Sequence, residues 1–188
     1  MPHDYKSWKS VFESPGRGRR VDRAVESLED APAPSDSNAD AIRLCARLEQ
    51  HWHKDSPGFS LERPKRVTED EIQAYEQRNS LRLPADMREY FLRLNGIDSA
   101  PGFFRFFSLA RLIPLKSQSY PTFNSEHYSI FADYMAGTWY YAIYLGEDSF
   151  LQNRVILPDL PGPPVLARNF SEFVELYLAD SVKLYGNQ

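Results

Sequence analysis

The stretch that most constrains the fold runs from Thr68 to Gly96, TEDEIQAYEQRNSLRLPADMREYFLRLNG, because it holds start and stop signals for two helices. Thr68 followed by Glu71 is a capping box: the hydroxyl satisfies an orphan helix N–H while the carboxylate reaches back to the Thr amide. A helix is therefore expected to begin there, with Ile72, Tyr75 and Glu76 on one face and Asn79-Ser80 ending it. Pro84 suits the first position of a second helix, where its missing N–H costs nothing, and Asp86 lies near the positive end of that helix dipole. Met87, Tyr90, Phe91 and Leu94 recur at i, i+3, i+4 and i+7, the spacing of a buried stripe. Asn95-Gly96 stops the helix, with Gly96 free to adopt a left-handed conformation.

Upstream, residues 1–37 read as an N-terminal arm and linker, and residues 38–188 as the folded domain. The arm carries Tyr5, Trp8 and Phe12, and the run Ala31-Pro-Ala-Pro-Ser-Asp-Ser-Asn38 has linker composition. Its Gly16-Arg-Gly-Arg-Arg20 segment is offset by Asp22, Glu26, Glu29 and Asp30, which favours a solvated loop over a phosphate site. A leading helix is expected from Asp40, with Ile42, Cys45, Leu48 and Trp52 along one side and Leu44 beside them. On that apolar side Cys45 reads as a buried, inert thiol.

Beyond Gly96 the period changes. Phe103 to Phe107 reads as a short strand with Arg105 at its centre, and Ser108 to Leu112 as a helical turn before Pro114. Tyr128 to Met135 and Thr138 to Leu145 are strands, and the two residues between them, Ala136-Gly137, predict a tight hairpin. The second of these strands is apolar on both faces and is expected to be central and covered on each side. Val155 to Leu157 is a further strand, and Pro158 to Pro164 is too proline-dense to extend it. Asn169 caps a closing helix with Glu172 at its third position and Phe173, Leu176 and Tyr177 as its stripe. Helices, then strands, then a closing helix predict an α+β domain with a mainly antiparallel β-sheet packed with helices.

The runs Ile72-Gln-Ala-Tyr-Glu76, Leu83-Pro84-Ala-Asp86, Tyr90-Phe91-Leu92 and Asn95-Gly96 together resemble the signature helix pair of the SUKH superfamily. That superfamily joins a fungal cell-wall-synthesis regulator to bacterial proteins encoded beside polymorphic toxins. Phe106-Phe107-Ser108-Leu109, Phe131-Ala132-Asp133, Trp139 to Ile143 and Val165 to Phe173 resemble its later elements in the same order. The resemblance implies a SUKH-like domain in which Glu76, Leu83, Pro84, Asn95, Gly96, Asp133 and Trp139 build the fold. It also implies a bacterial immunity protein that binds a cognate toxin, a nuclease being one candidate, and blocks it by occlusion.

Composition is compatible with that role. A formal charge of −4 argues against general nucleic-acid binding, which wants a basic footprint. The N-terminus has no apolar run of the ~7 to 15 residues that a signal peptide needs. The longest apolar run, Trp139 to Leu145, is far below the roughly 18 residues of a membrane span. A single cysteine makes no internal disulfide, so a reducing cytoplasm is the simplest compartment.

No nucleophile elbow, His-Glu-x-x-His pair, Cys-x-x-Cys pair or phosphate-cradling loop occurs, so no enzymatic activity and no cofactor are expected. His51 and His53 point in different directions on a helix and do not make a metal pair. Asn169-Phe-Ser171 matches a glycosylation pattern but reads as a helix cap. Glu76, on the apolar side of its helix, is expected to pin a neighbouring backbone group or an Arg. Partner contacts are expected on the loops Ile97 to Gly102, Lys116 to His127 and Gly146 to Asn153, with Asp98, Glu126, Glu147 and Asp148 facing a basic partner. Two other readings stay open. One is a regulatory or scaffold module of the same fold; the other is a small-molecule or enzymatic pocket built on Glu76, Asp133 and the tyrosines.

Overall fold

The computed structural model describes residues 38–54, 64–97, 103–115, 123–148 and 151–185; the expected arm and linker, residues 1–37, lies outside the described residues. The first helix, α1, spans Asn38–Lys54 and buries Ala41, Leu44, Cys45, Leu48 and Trp52. Ile42, expected on that side, is only half-buried, because the stripe is centred one residue earlier on the smaller Ala41.

Helix α2, Glu69–Asn79, starts at the capping box. Thr68 Oγ1 accepts from the Glu71 amide at 3.3 Å, and Glu71 Oε2 accepts from the Thr68 amide at 2.7 Å. Helix α3, Ala85–Arg93, has Pro84 as its N-cap, one position earlier than expected. Met87, Tyr90, Phe91 and the C-cap Leu94 are all buried, as a stripe of that period requires. After α3 both Asn95 (φ 52) and Gly96 (φ 95) are left-handed. A Cβ at Gly96 would stand 2.7 Å from the Ser108 nitrogen and 2.8 Å from the Phe106 oxygen, so backbone approach as well as φ requires glycine.

That approach seats the chain against the sheet. Its strands are β1 (Phe104–Phe106), β2 (Ile113–Pro114), β3 (Tyr128–Tyr134), β4 (Trp139–Tyr144), β5 (Val155–Ile156) and β6 (Val165–Ala167). The order is β1-β3-β4-β5-β6 with β2 beside β3, and every pairing is antiparallel. The α+β class follows, with β4 at the centre of the sheet. Two strands were not expected from the sequence: β2, which holds Pro114, and β6, which follows the proline-dense segment.

The β3–β4 hairpin has positive φ at both Ala136 and Gly137, the mark of a primed turn, and Thr138 N donates to Met135 O at 3.3 Å. Met135 is left-handed too (φ 50), so the ladder stops at Tyr134 opposite Trp139, one residue before the expected end. A register shift between Ile130 and Ala132 marks a bulge that puts Phe131 on the helix side, where its ring meets Phe170 and Phe173 at 5.5 and 4.9 Å.

Alternation along β4 divides the interior in two. Tyr141 and Ile143 face the helices, together with Trp52, Ile72, Phe91 and Phe106. Ala142 and Tyr144 face the other way, with Phe107, Leu115, Tyr128, Ile130 and Ile156. Partly buried Phe123 and Leu151, both outside strands, help to cover that second face.

Helix α4, Phe170–Leu178, is capped by Asn169, whose Oδ1 accepts from Glu172 N at 2.8 Å. Its buried stripe is Phe170, Phe173 and Val174; Leu176 and Tyr177, expected in it, flank it half-buried. Asp86 completes the cap from α3, accepting from Ser171 N at 2.8 Å and Ser171 Oγ at 2.9 Å. A 3-10 turn, Val182–Tyr185, follows, and the buried Tyr141 hydroxyl donates to Leu184 O at 2.7 Å.

Candidate functional site

The turn between α2 and α3 is held by two charged side chains. Glu76 Oε1 accepts from Leu83 N at 2.8 Å and from Arg88 Nη1 at 2.6 Å. Arg88 also donates to Glu69, so one guanidinium ties the start of α2, its end and α3 together. Burial draws the Arg88 pKa down, but the hydrogen bonds to Glu76 and Glu69 outweigh it and hold the group above its ordinary value. Leu83, buried beneath Glu76, fixes the turn to the core.

This turn forms one wall of an open groove of about 1160 Å³. On it stand Gln73 and Gln77 of α2, Ser80, and the exposed Arg82. The other wall is the β4–β5 connection, from Tyr144 to Asp148 with Gln152 and Asn153, joined by His127. Tyr144, itself buried, packs edge-on against Tyr128 at 5.1 Å and His127 at 6.0 Å. A Cβ on Gly146 would lie 2.5 Å from the Tyr144 hydroxyl, so a side chain there would have to push the Tyr144 ring aside. Ser80, His127 and Asn153 all have positive φ, which sets the direction of each wall at its turn.

Of the residues expected to meet a partner, Glu147 and Asp148 line the groove and are exposed. Glu126 is exposed at its edge, 3.9 Å from His127, and Asp98 lies outside the described residues. Of the expected fold-building residues, Glu76 and Leu83 are in the groove wall. The others lie elsewhere. Pro84 caps α3, Asn95 and Gly96 turn the chain into the sheet, and Trp139 is half-buried at the hairpin end.

Asp133 is fully buried opposite Arg105 in the β1–β3 ladder, and Arg105 Nε donates to its Oδ1 at 2.7 Å. Both acids offered for an enzymatic pocket, Glu76 and Asp133, are thus engaged by arginines, and they stand apart, one in the groove wall and one in the sheet. Among the described residues no cluster of three or more His, Cys, Asp and Glu is placed to hold a metal ion. None of their helices is long and apolar enough to cross a membrane.

Sequence reasoning missed Arg88, Gln73 and Gln77, and took in Gln152 only as part of the loop Gly146 to Asn153. The i, i+4 spacing of the two α2 glutamines, on the side away from Ile72, was a signal for a shared polar face. Nothing local connected that face to residues 144–153. The SMI1 / KNR4 family (SUKH-1) profile matches residues 66–176, a span that takes in both walls of the groove. No curated protein matches the chain.

Proposed function

The chain belongs to the SMI1 / KNR4 family (SUKH-1), and from that premise we propose that it is a bacterial immunity protein that binds a cognate toxin in the cytoplasm and occludes it without turnover. The observation that carries this reading is the groove: a wall braced by Glu76 and Arg88 faces a loop that exposes Glu147 and Asp148. A braced wall opposite an acidic loop is a surface for docking, with charge placed to attract a basic enzyme and raise the encounter rate. Engagement of Glu76 and Asp133 by Arg88 and Arg105 supports a structural use of these carboxylates over acid–base chemistry.

The test is co-expression with the toxin encoded beside it, followed by size-exclusion chromatography and an assay of toxin activity. A stoichiometric complex is expected, with toxin activity lost in it. Glu147→Lys with Asp148→Lys is expected to slow association and reverse its salt dependence. Failure of every adjacent gene product to co-elute would refute the proposal.

A further inference from the structure

The polar lining of the groove has a chemistry that the acidic pair alone does not explain. Four carboxamides, Gln73 and Gln77 on one wall and Gln152 and Asn153 on the other, stand along it. Among the described residues none of these four side-chain amides has a hydrogen-bond partner. A carboxamide is the same functional group as a peptide unit, with N–H donors and a carbonyl acceptor in one plane. It therefore pairs at two points with the N–H and C=O that one residue of an extended chain presents to the same edge, whatever side chain that residue carries.

The spacing fits this use. Residues at i and i+4 on a helix place their Cβ atoms about 5–6 Å apart. An extended chain presents N–H and C=O groups to the same edge every second residue, about 6.6 Å apart. Gln73 and Gln77 are thus spaced to meet successive outward-facing residues, two apart in sequence, of a strand lying along α2. The volume of about 1160 Å³ also exceeds the roughly 300–1,000 Å³ of small-molecule sites, and an extended segment fills such a groove better than a metabolite does.

We propose that the groove takes an extended segment of a partner polypeptide. The main chain is held by Gln73, Gln77, Gln152 and Asn153, and a Lys or Arg of the segment lies against Glu147 and Asp148. This rests on the reading of the groove as a protein-docking surface and specifies what part of the partner enters it.

The experiment pans a displayed heptapeptide library against the immobilised full chain, then titrates the enriched peptide, fluorescently labelled, by anisotropy. Enriched peptides are expected to carry a Lys or Arg. Gln73→Ala with Gln77→Ala is expected to weaken binding at least about tenfold, since each carboxamide gives up two hydrogen bonds. Glu147→Lys with Asp148→Lys should weaken it at low salt and reverse its salt dependence. All four positions are exposed, so the variants fold, and circular dichroism checks it.

The proposal is overturned by no enrichment over the Gln73→Ala, Gln77→Ala chain, or by an enriched peptide that binds both variants as well as it binds the original. A toxin complex that ignores the glutamine changes but is broken by the charge reversals also overturns it, while leaving the docking surface intact. Peptide capture with no toxin complex refutes the immunity role and supports the chemistry assigned to the groove.

Discussion

Asn95 joins three segments through one carboxamide, so its removal has a cost that the geometry allows to be worked out. The side chain is 5% exposed; Nδ2 donates to Lys65 O at 2.6 Å and Oδ1 accepts from Leu109 N at 2.9 Å. In Asn95→Ala the N–H of buried Leu109 is left unpaired, at about 1–3 kcal/mol. Lys65 is exposed, so its carbonyl regains a partner from water and adds only about 0.5–1 kcal/mol. Ala at a φ of 52° adds about 1 kcal/mol of left-handed strain that Asn tolerates better. The sum is about 2.5–5 kcal/mol, a large part of the roughly 5–15 kcal/mol that holds a domain together.

Asn95→Asp separates the two bonds. It keeps the acceptor for Leu109 but turns a carboxylate toward the Lys65 carbonyl, where Asn had a donor. Burial and that carbonyl raise the folded-state pKa of the new Asp above about 3.9. A raised folded pKa gives stability that is fully present below the unfolded value and lost as pH rises through the folded one. Asn95→Asp should therefore be as damaging as Asn95→Ala near neutral pH and less damaging near about pH 4. Urea unfolding at both pH values measures this through the midpoint at constant slope. A cost below about 1 kcal/mol for Asn95→Ala at unchanged slope, or an Asn95→Asp chain that gains nothing in acid, would refute the reasoning.

Two further outcomes follow from single groups. Hydrogen bonds from the Thr68 amide, and then from its hydroxyl, hold Glu71 below its ordinary 4.5, so its contribution is present above that value and fades as pH falls through the lowered one. The stability advantage over Glu71→Gln should shrink in acid, measured by urea midpoints; an advantage independent of pH would contradict the capping role. Burial pushes the Cys45 thiol up to about 12, so a thiol reagent at mildly alkaline pH should leave the native chain unlabelled and react fully once guanidinium unfolds it. Rapid labelling of the native chain would show that α1 opens more readily than its packing implies.

What was legible in the sequence is what local spacing determines. Thr68 with Glu71, the Met87 to Leu94 stripe and the Asn169 cap each act over one or two turns, and each sits where its chemistry demanded. The stripes of α1 and α4 hold most of the expected residues, Leu44, Cys45, Leu48, Trp52 and Phe173, but are centred slightly differently. Ile42 is larger than Ala41, and Tyr177 larger than Val174, yet the smaller residue of each pair is the buried one. The β6 strand is three residues long, too short for alternation to show, and its pairing with β5 spans a proline-dense loop. The groove was illegible because it is made across the chain: residues of 73–88 and residues 144–148, 152 and 153 come to line it through tertiary folding alone. Its acids were found only because Glu147 and Asp148 stand together in a turn.

The bond from Asp86 to the first turn of α4 spans 85 residues. On a ribosome adding roughly 5–20 residues per second, Asp86 is synthesised about 4–17 s before Ser171 exists. For that time the Asp86 carboxylate has the Met87 amide on Oδ1 but lacks the Ser171 donors of its Oδ2, and the apolar stripe beside it has no lid. Nascent chain can form the capped helix pair early, but it cannot bury that carboxylate until its last helix is made, and a message truncated before codon 169 would leave an acid stranded in the oily face.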